Sequence, residues 1–273
     1  MQTGSSSAPL IAVIGLTGGV GLASALAASL FIALPAAARR ALVPHLVSFA
    51  TGALLGAALI GFLPAAIAGA GIANAARVGL VVLGGLLVFF VLEKLVLWRH
   101  SHDDPFDGDE HDGPRRVHAL GPMILWGDAF HNVVDGVVIA AAYLTSPGLG
   151  LATALAVFTH ELPQEIGDIG ILLHSGMGRL RALALNLLVS ASAVVGGIVA
   201  VYALGAALAA LPYALAFAGA SLLYVAVADL IPGLHRHAGL RRSVEQFVLI
   251  LAGVGVIWLT QHHPGGEGGR GLP

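Results

Sequence analysis

The sequence predicts an all-α membrane protein of eight transmembrane helices, and three observations carry that expectation. Of the 273 residues 57% are hydrophobic and only 10% charged, where a soluble globule carries roughly a quarter. Apolar runs recur along the chain, each near the roughly 20 residues that cross a bilayer as helix. One of those runs returns later in recognisable form. The whole of residues 1–273 therefore reads as a single polytopic transmembrane domain.

The first run follows "MQTGSSSAPL", which lacks the basic stretch of a signal peptide, so a retained helix is expected over 9–34. Two more follow at 42–69 and 77–98. Next comes "RHSHDDPFDGDEHDGPRRVH", residues 99–118, whose polar, Gly- and Pro-broken composition reads as a loop. The fourth and fifth spans are placed at 119–145 and 149–175, and the last three at 181–208, 211–233 and 243–261. Residues 262–273 read as a flexible tail.

Eight spans put both termini on one side. Arg39, Arg40, Lys94, Arg99, Arg115, Arg116, Arg179, Arg181, Arg236, Arg241 and Arg242 then share the opposite face, eleven of the 13 basic residues. By the positive-inside rule that face is cytoplasmic and the termini lie outside. A net charge of −2 argues against nucleic acid as a partner, and the absence of cysteine excludes disulfides and thiolate metal sites.

"FATGALLGAALIGFLP" (Phe49–Pro64, second span) aligns without gaps on "FAGASLLYVAVADLIP" (Phe217–Pro232, seventh span) at a constant offset of 168. Phe, Ala, Leu-Leu, a second Ala and the final Pro coincide. Five helices separate the copies, so they cross in opposite senses. This is the pattern of an inverted repeat, spans one to three against six to eight, as found in secondary transporters. Chance likeness between Ala/Leu-rich helices is the alternative.

The fourth and fifth spans are different in kind. "HELPQEIGD" places His160, Glu161, Gln164, Glu165 and Asp168 within an arc of about 140° on one helix. "GDAFHNVVDG" gathers Asp128, His131, Asn132 and Asp135 within about 100° on the other. Five carboxylates thus lie in two membrane helices with no Lys or Arg inside either apolar span. Each costs about 2.5–3.5 kcal/mol at the bilayer centre on lenient scales. They must be protonated, hydrated or neutralised by a cation. Two histidines among them make a face suited to metal. The plainer alternative is a hydrogen-bonded cluster joining the helices. Pro163 removes a donor and frees the carbonyl of Thr159, as an ordinary kink or as the lining of a hydrated cavity.

With these residues in view, "GDAFHNVVDG" and "HELPQEIGDIGILLHSG" resemble helices 4 and 5 of the ZIP family of metal-ion transporters. The similarity is to the branch carrying HNFxDG and HExPHExGD. "LLYVAVADLIP" and "SFATGALLGAALIGFLP" resemble its helices 7 and 2.

The resemblance implies a binuclear metal site near midmembrane. One position would use His131, Asp135, His160 and Gln164; the adjacent one Asn132 and Glu161, with Asp135 and Gln164 bridging. Asp128, Glu165 and Asp168 would serve the ion's way in or out, or support the ligands. Four departures bear on metal selectivity. Gln164 stands where the branch has His, Ala57 and Gly61 replace Asp and His, Gly233 replaces Glu, and the sixth span offers no carboxylate.

The expected function is zinc uptake into the cytoplasm, with Fe²⁺, Mn²⁺ and Cd²⁺ as further candidate cargoes and no resident cofactor. The expected setting is a cell membrane, a bacterial inner membrane first, with the lipid bilayer and divalent ions as partners and a homodimer as candidate assembly. His100, His102, His111 and His118 in the loop read either as a metal buffer or as a solvated linker. An intramembrane zinc hydrolase is the first rival, but a helical HExxH needs a second His where Gln164 stands, and no enzyme is expected. A metal exporter is the second.

Overall fold

The computed structural model describes residues 7–101, 113–174, 176–235 and 239–262, and among them every regular element is helical. In order these are α1 (Ser7–Ala33), α2 (Ala36–Gly56), α3 (Leu63–Ala70), α4 (Ala75–Ser101), α5 (Gly113–Thr145), α6 (Pro147–His174), α7 (Arg179–Ser190), α8 (Ser192–Ala206), α9 (Leu211–Tyr224), α10 (Ile231–His235) and α11 (Leu240–His262). Among the described residues six stretches are long and apolar enough to cross a membrane: Ala8–Ala33, Ala37–Ala70, Ile72–Leu95, Arg179–Ala206, Leu208–His235 and Leu240–Gln261. The other two expected spans are the long helices α5 and α6. These carry the carboxylates and are correspondingly less apolar than the six.

Two π-helical turns interrupt otherwise continuous rods, at Ala57–Phe62 between α2 and α3 and at Val225–Leu230 between α9 and α10. Each precedes a proline, Pro64 or Pro232, by one residue. A proline within a helix leaves the carbonyl four residues back without its donor. Here the residue before it reaches one carbonyl further: Leu63 N–H donates to Ala58 O and Ile231 N–H to Ala226 O. The helix widens by one residue and runs on, a device often found near functional sites.

Boundaries differ from expectation in three places. The second rod starts at Ala36, with Pro44 inside α2. The sixth is broken at Ala191, after which Ser192 Oγ donates to Ala129 O of α5 at 2.8 Å. The helices beside the expected loop run to Ser101 and resume at Gly113, so His102 and His111 lie outside the described residues. The tail does too, except His262 at the end of α11.

The carboxylate-bearing helices α5 and α6 sit in a bundle joined in places by backbone contact. α5 packs on α8 and α6, and α6 also meets α1, α2 and α11. Gly136 of α5 faces the Ala193 carbonyl, and Gly196 of α8 faces that of Val133; a Cβ at either would overlap the opposite backbone. Gly52 and Gly253 join α2 to α11 in the same reciprocal way, against Ile250 and Phe49. Small residues let membrane helices approach this closely, where dispersion and packing replace a hydrophobic driving force. Ala57, Ala58, Phe62, Leu54, Leu215 and Leu222 form the main apolar core, while Leu30, Leu80, Leu188 and Val199 stand outward.

Candidate metal centre

α5 and α6 are joined by a turn at Ser146, whose Oγ accepts the N–H of Leu149 at 3.2 Å and caps the start of α6. The two helices therefore lie side by side and antiparallel. Asp135 meets the level of His160 and Glu161, and Asp128 meets that of Gln164.

Four side chains converge at the first level: His131, Asp135, His160 and Glu161 each offer an atom, all within 4.8 Å of one another. His160 Nε2 lies 3.1 Å from Asp135 Oδ2 and 3.6 Å from Glu161 Oε1. His131 Nε2 lies 3.5 Å from the same Glu161 oxygen, 3.8 Å from Asp135 Oδ2 and 3.2 Å from His160 Nε2. Nitrogen and oxygen ligands about 2.0–2.1 Å from a tetrahedral zinc stand about 3.3 Å apart. The observed separations bracket that spacing.

Polarity points the same way. His160 Nδ1–H donates to Ala156 O at 3.2 Å, which leaves Nε2 with its lone pair facing the cluster. Asp135 Oδ2 and both oxygens of Glu161 are buried without a hydrogen-bond donor. Asp135, His160 and Glu161 are each 2% exposed or less, while the side chain of His131 is 23% exposed and forms the open edge. Buried carboxylate oxygens without a donor, beside two imidazole nitrogens, make a setting that positive charge, a metal ion or a proton, would stabilise.

The second level is organised around Asp128. Its Oδ1 accepts from Asn132 Nδ2 and from Gln164 Nε2, both at 3.0 Å, while Oδ2 has no donor. Asn132 and Gln164 thus turn their amide nitrogens to Asp128, one level away from the four-residue cluster. Glu165 faces a third direction: Oε1 accepts from Ser24 Oγ at 2.9 Å and Ser190 Oγ at 2.7 Å. Asp168 lies half-buried about one turn further along α6.

Sequence reading missed Ser24, Ser190 and the fully buried Asn186, which surround Glu165. A lone Ser in an Ala/Leu-rich helix gives no signal of its own. It also missed Asp229, which sits in the second π-helical turn and interacts electrostatically with both His131 and His160. A signal existed there, since Asp229 is the one acidic residue in the repeated segment. Tyr224 Oη donates to the Glu93 carboxylate, tying α9 to α4.

A family model described as "ZIP Zinc transporter" matches residues 99–261. The chain is 35% identical over 156 residues to zinc transporter foi of Drosophila melanogaster, covering 57% of this chain and 22% of that one. It is 44% identical over 125 residues to zinc transporter ZIP4 of Homo sapiens, covering 44% and 19%. Against zinc transporter ZIP13 of Pongo abelii it is 32% identical over 236 residues, covering 79% and 66%. The chain thus spans about a fifth of the first two relatives and just under two thirds of the third.

Proposed function

The chain belongs to the ZIP zinc transporter family and is a multi-pass membrane protein, and on that footing we propose that it carries a divalent cation, zinc first, across the membrane. The observation that supports this most is the convergence of His131, Asp135, His160 and Glu161 on one point between α5 and α6. Two imidazoles and two carboxylates neutralise a dication completely. The loaded site then carries no net charge through the low-dielectric midplane, which removes most of the penalty a bare ion meets there.

The ion's hydration shell is replaced stepwise. His131, at the open edge, meets the ion first, and the buried atoms of His160, Asp135 and Glu161 complete the shell. A second position beside the first uses Asn132 and Glu161, bridged by Asp135 and Gln164. It requires the amides of Asn132 and Gln164 to turn their oxygens from Asp128 toward the ion. Asp128, Glu165 and Asp168 line the next stage. About two ions per chain follow from this arrangement.

We place eight spans across the bilayer, α5 and α6 included, with the arginine-rich face in the cytoplasm and both termini outside. The two π-helical turns support the inverted repeat: Ala57–Phe62 and Val225–Leu230 are separated by the same 168 residues that align the two sequence segments. Two copies that widen at one register, before one shared proline, are hard to ascribe to chance composition. Zinc moves inward on this reading, and iron, manganese and cadmium compete to the extent that Gln164 softens selectivity.

The test is flux. The purified protein in liposomes holding a zinc-reporting dye should admit external zinc faster than empty liposomes, with and without an imposed proton gradient. Equal rates in the two preparations would refute transport.

A further inference from the structure

Between the N-terminal halves of α2 and α11 lies an open cavity of about 390 Å³ lined by Arg40, Pro44, His45, Arg241, Arg242 and Glu245. The two helices that carry its lining side chains are held together further along, where α2 and α11 meet backbone to backbone at Gly52 and Gly253. Three guanidinium groups face one carboxylate. Glu245 is already engaged: Arg241 Nε donates to its Oε1 at 2.9 Å, and His45 Nε2 lies 3.9 Å from Oε2. Among the described residues neither Arg40 nor Arg242 has an ion-pair partner.

We infer that this cavity binds the phosphate ester of an anionic phospholipid headgroup. Guanidinium forks match phosphate oxygens in shape and charge, and basic pockets between membrane helices take such headgroups. The surroundings favour a lipid over free phosphate. Arg241, Val244 and Val248 follow i, i+3, i+7 spacing and so share one stripe of α11. Val244 is 54% and Val248 57% exposed, an apolar track for an acyl chain leading from the cavity along the helix. Free phosphate would use the arginines and leave that track bare.

Native mass spectrometry of the full chain tests this with phosphatidylglycerol, phosphatidylcholine, and glycerol 3-phosphate or inorganic phosphate as separate additions. Phosphatidylglycerol should be retained in preference to phosphatidylcholine, and the soluble phosphates should not displace it. Arg40→Gln with Arg242→Gln should weaken retention by about fivefold per arginine. Arg179→Gln with Arg181→Gln, on α7, which packs on α1, α5 and α6, should leave it unchanged. Equal loss in both double variants would mean a diffuse surface field and overturn the site. Equal retention of the two lipids by the unaltered protein would overturn it without any variant. Displacement by soluble phosphate would overturn the lipid assignment.

Discussion

The Nε2 atoms of His131 and His160 stand 3.2 Å apart, with the rings edge to face at 86°, although 29 residues separate them in sequence. The backbone carbonyl of Ala156 holds the other nitrogen of His160 as a donor, so its lone pair points at the cluster. An arrangement with Asp135 Oδ2 at 3.1 Å is repulsive without a positive charge between the atoms. A metal ion held there would supply it, as would a proton on Nε2.

Removing either ring should therefore cost more than removing a supporting residue. Changes to groups that only orient a ligand lower metal affinity about 10–100-fold. His160→Ala and His131→Ala should fall at or beyond the upper end of that range in calorimetric zinc titrations. Zinc isotherms unchanged in both variants would take the site away from α5 and α6.

Transport should slow in acid. Histidine binds metal only when neutral, so protons compete with metal at acidic pH. Apparent zinc affinity should therefore fall as pH is lowered from 7.5 to 5.5. Flat affinity over that range would exclude His131 and His160 as ligands.

Gln164 controls selectivity on this account. Its amide nitrogen donates to Asp128 at 3.0 Å, so a His there must either turn to the ion or remain with Asp128. Gln164→His is expected to tighten zinc binding and raise preference for zinc over manganese, because imidazole favours later transition metals. Maximal flux should fall as release slows. Manganese competition against zinc uptake reads this directly, and an identical ratio in both proteins would redraw the ligand set around Glu165.

Close packing of α5 on α8 gives a stability prediction. Gly136→Ala puts a Cβ onto the Ala193 carbonyl and should destabilise the protein by about 1–3 kcal/mol or more. Gly15→Ala, with nothing within 4 Å of the new atom, should be neutral. Thermal melting in one detergent compares them. Equal melting temperatures would mean that the α5–α8 contact is looser than described.

What sequence could reveal follows the range of each interaction. His131 with Asp135, and His160 with Gln164, lie four residues apart on single helices, so periodicity alone put each pair on one face. The pairing of α5 with α6 followed from their shared polarity. The partners of Glu165 did not: Ser24 is 141 residues away, and its hydroxyl matters only once α1 has packed on α6. Pro64 and Pro232 were legible only as the matching ends of the repeated segment, because the π-helical turn depends on which carbonyl the preceding N–H can reach. The break at Ala191 has no marker in its own sequence, and the nearest anchoring contact, Ser192 to Ala129, is made with a different helix.

Anomalous diffraction at the zinc edge, from crystals grown with stoichiometric zinc, tests the central claim most directly. The account predicts a peak between α5 and α6, about 2.0–2.2 Å from His131 Nε2, His160 Nε2 and an oxygen each of Asp135 and Glu161. A fully occupied zinc held by Asp128 and Asp168 alone, with no density between the two histidines, would contradict it.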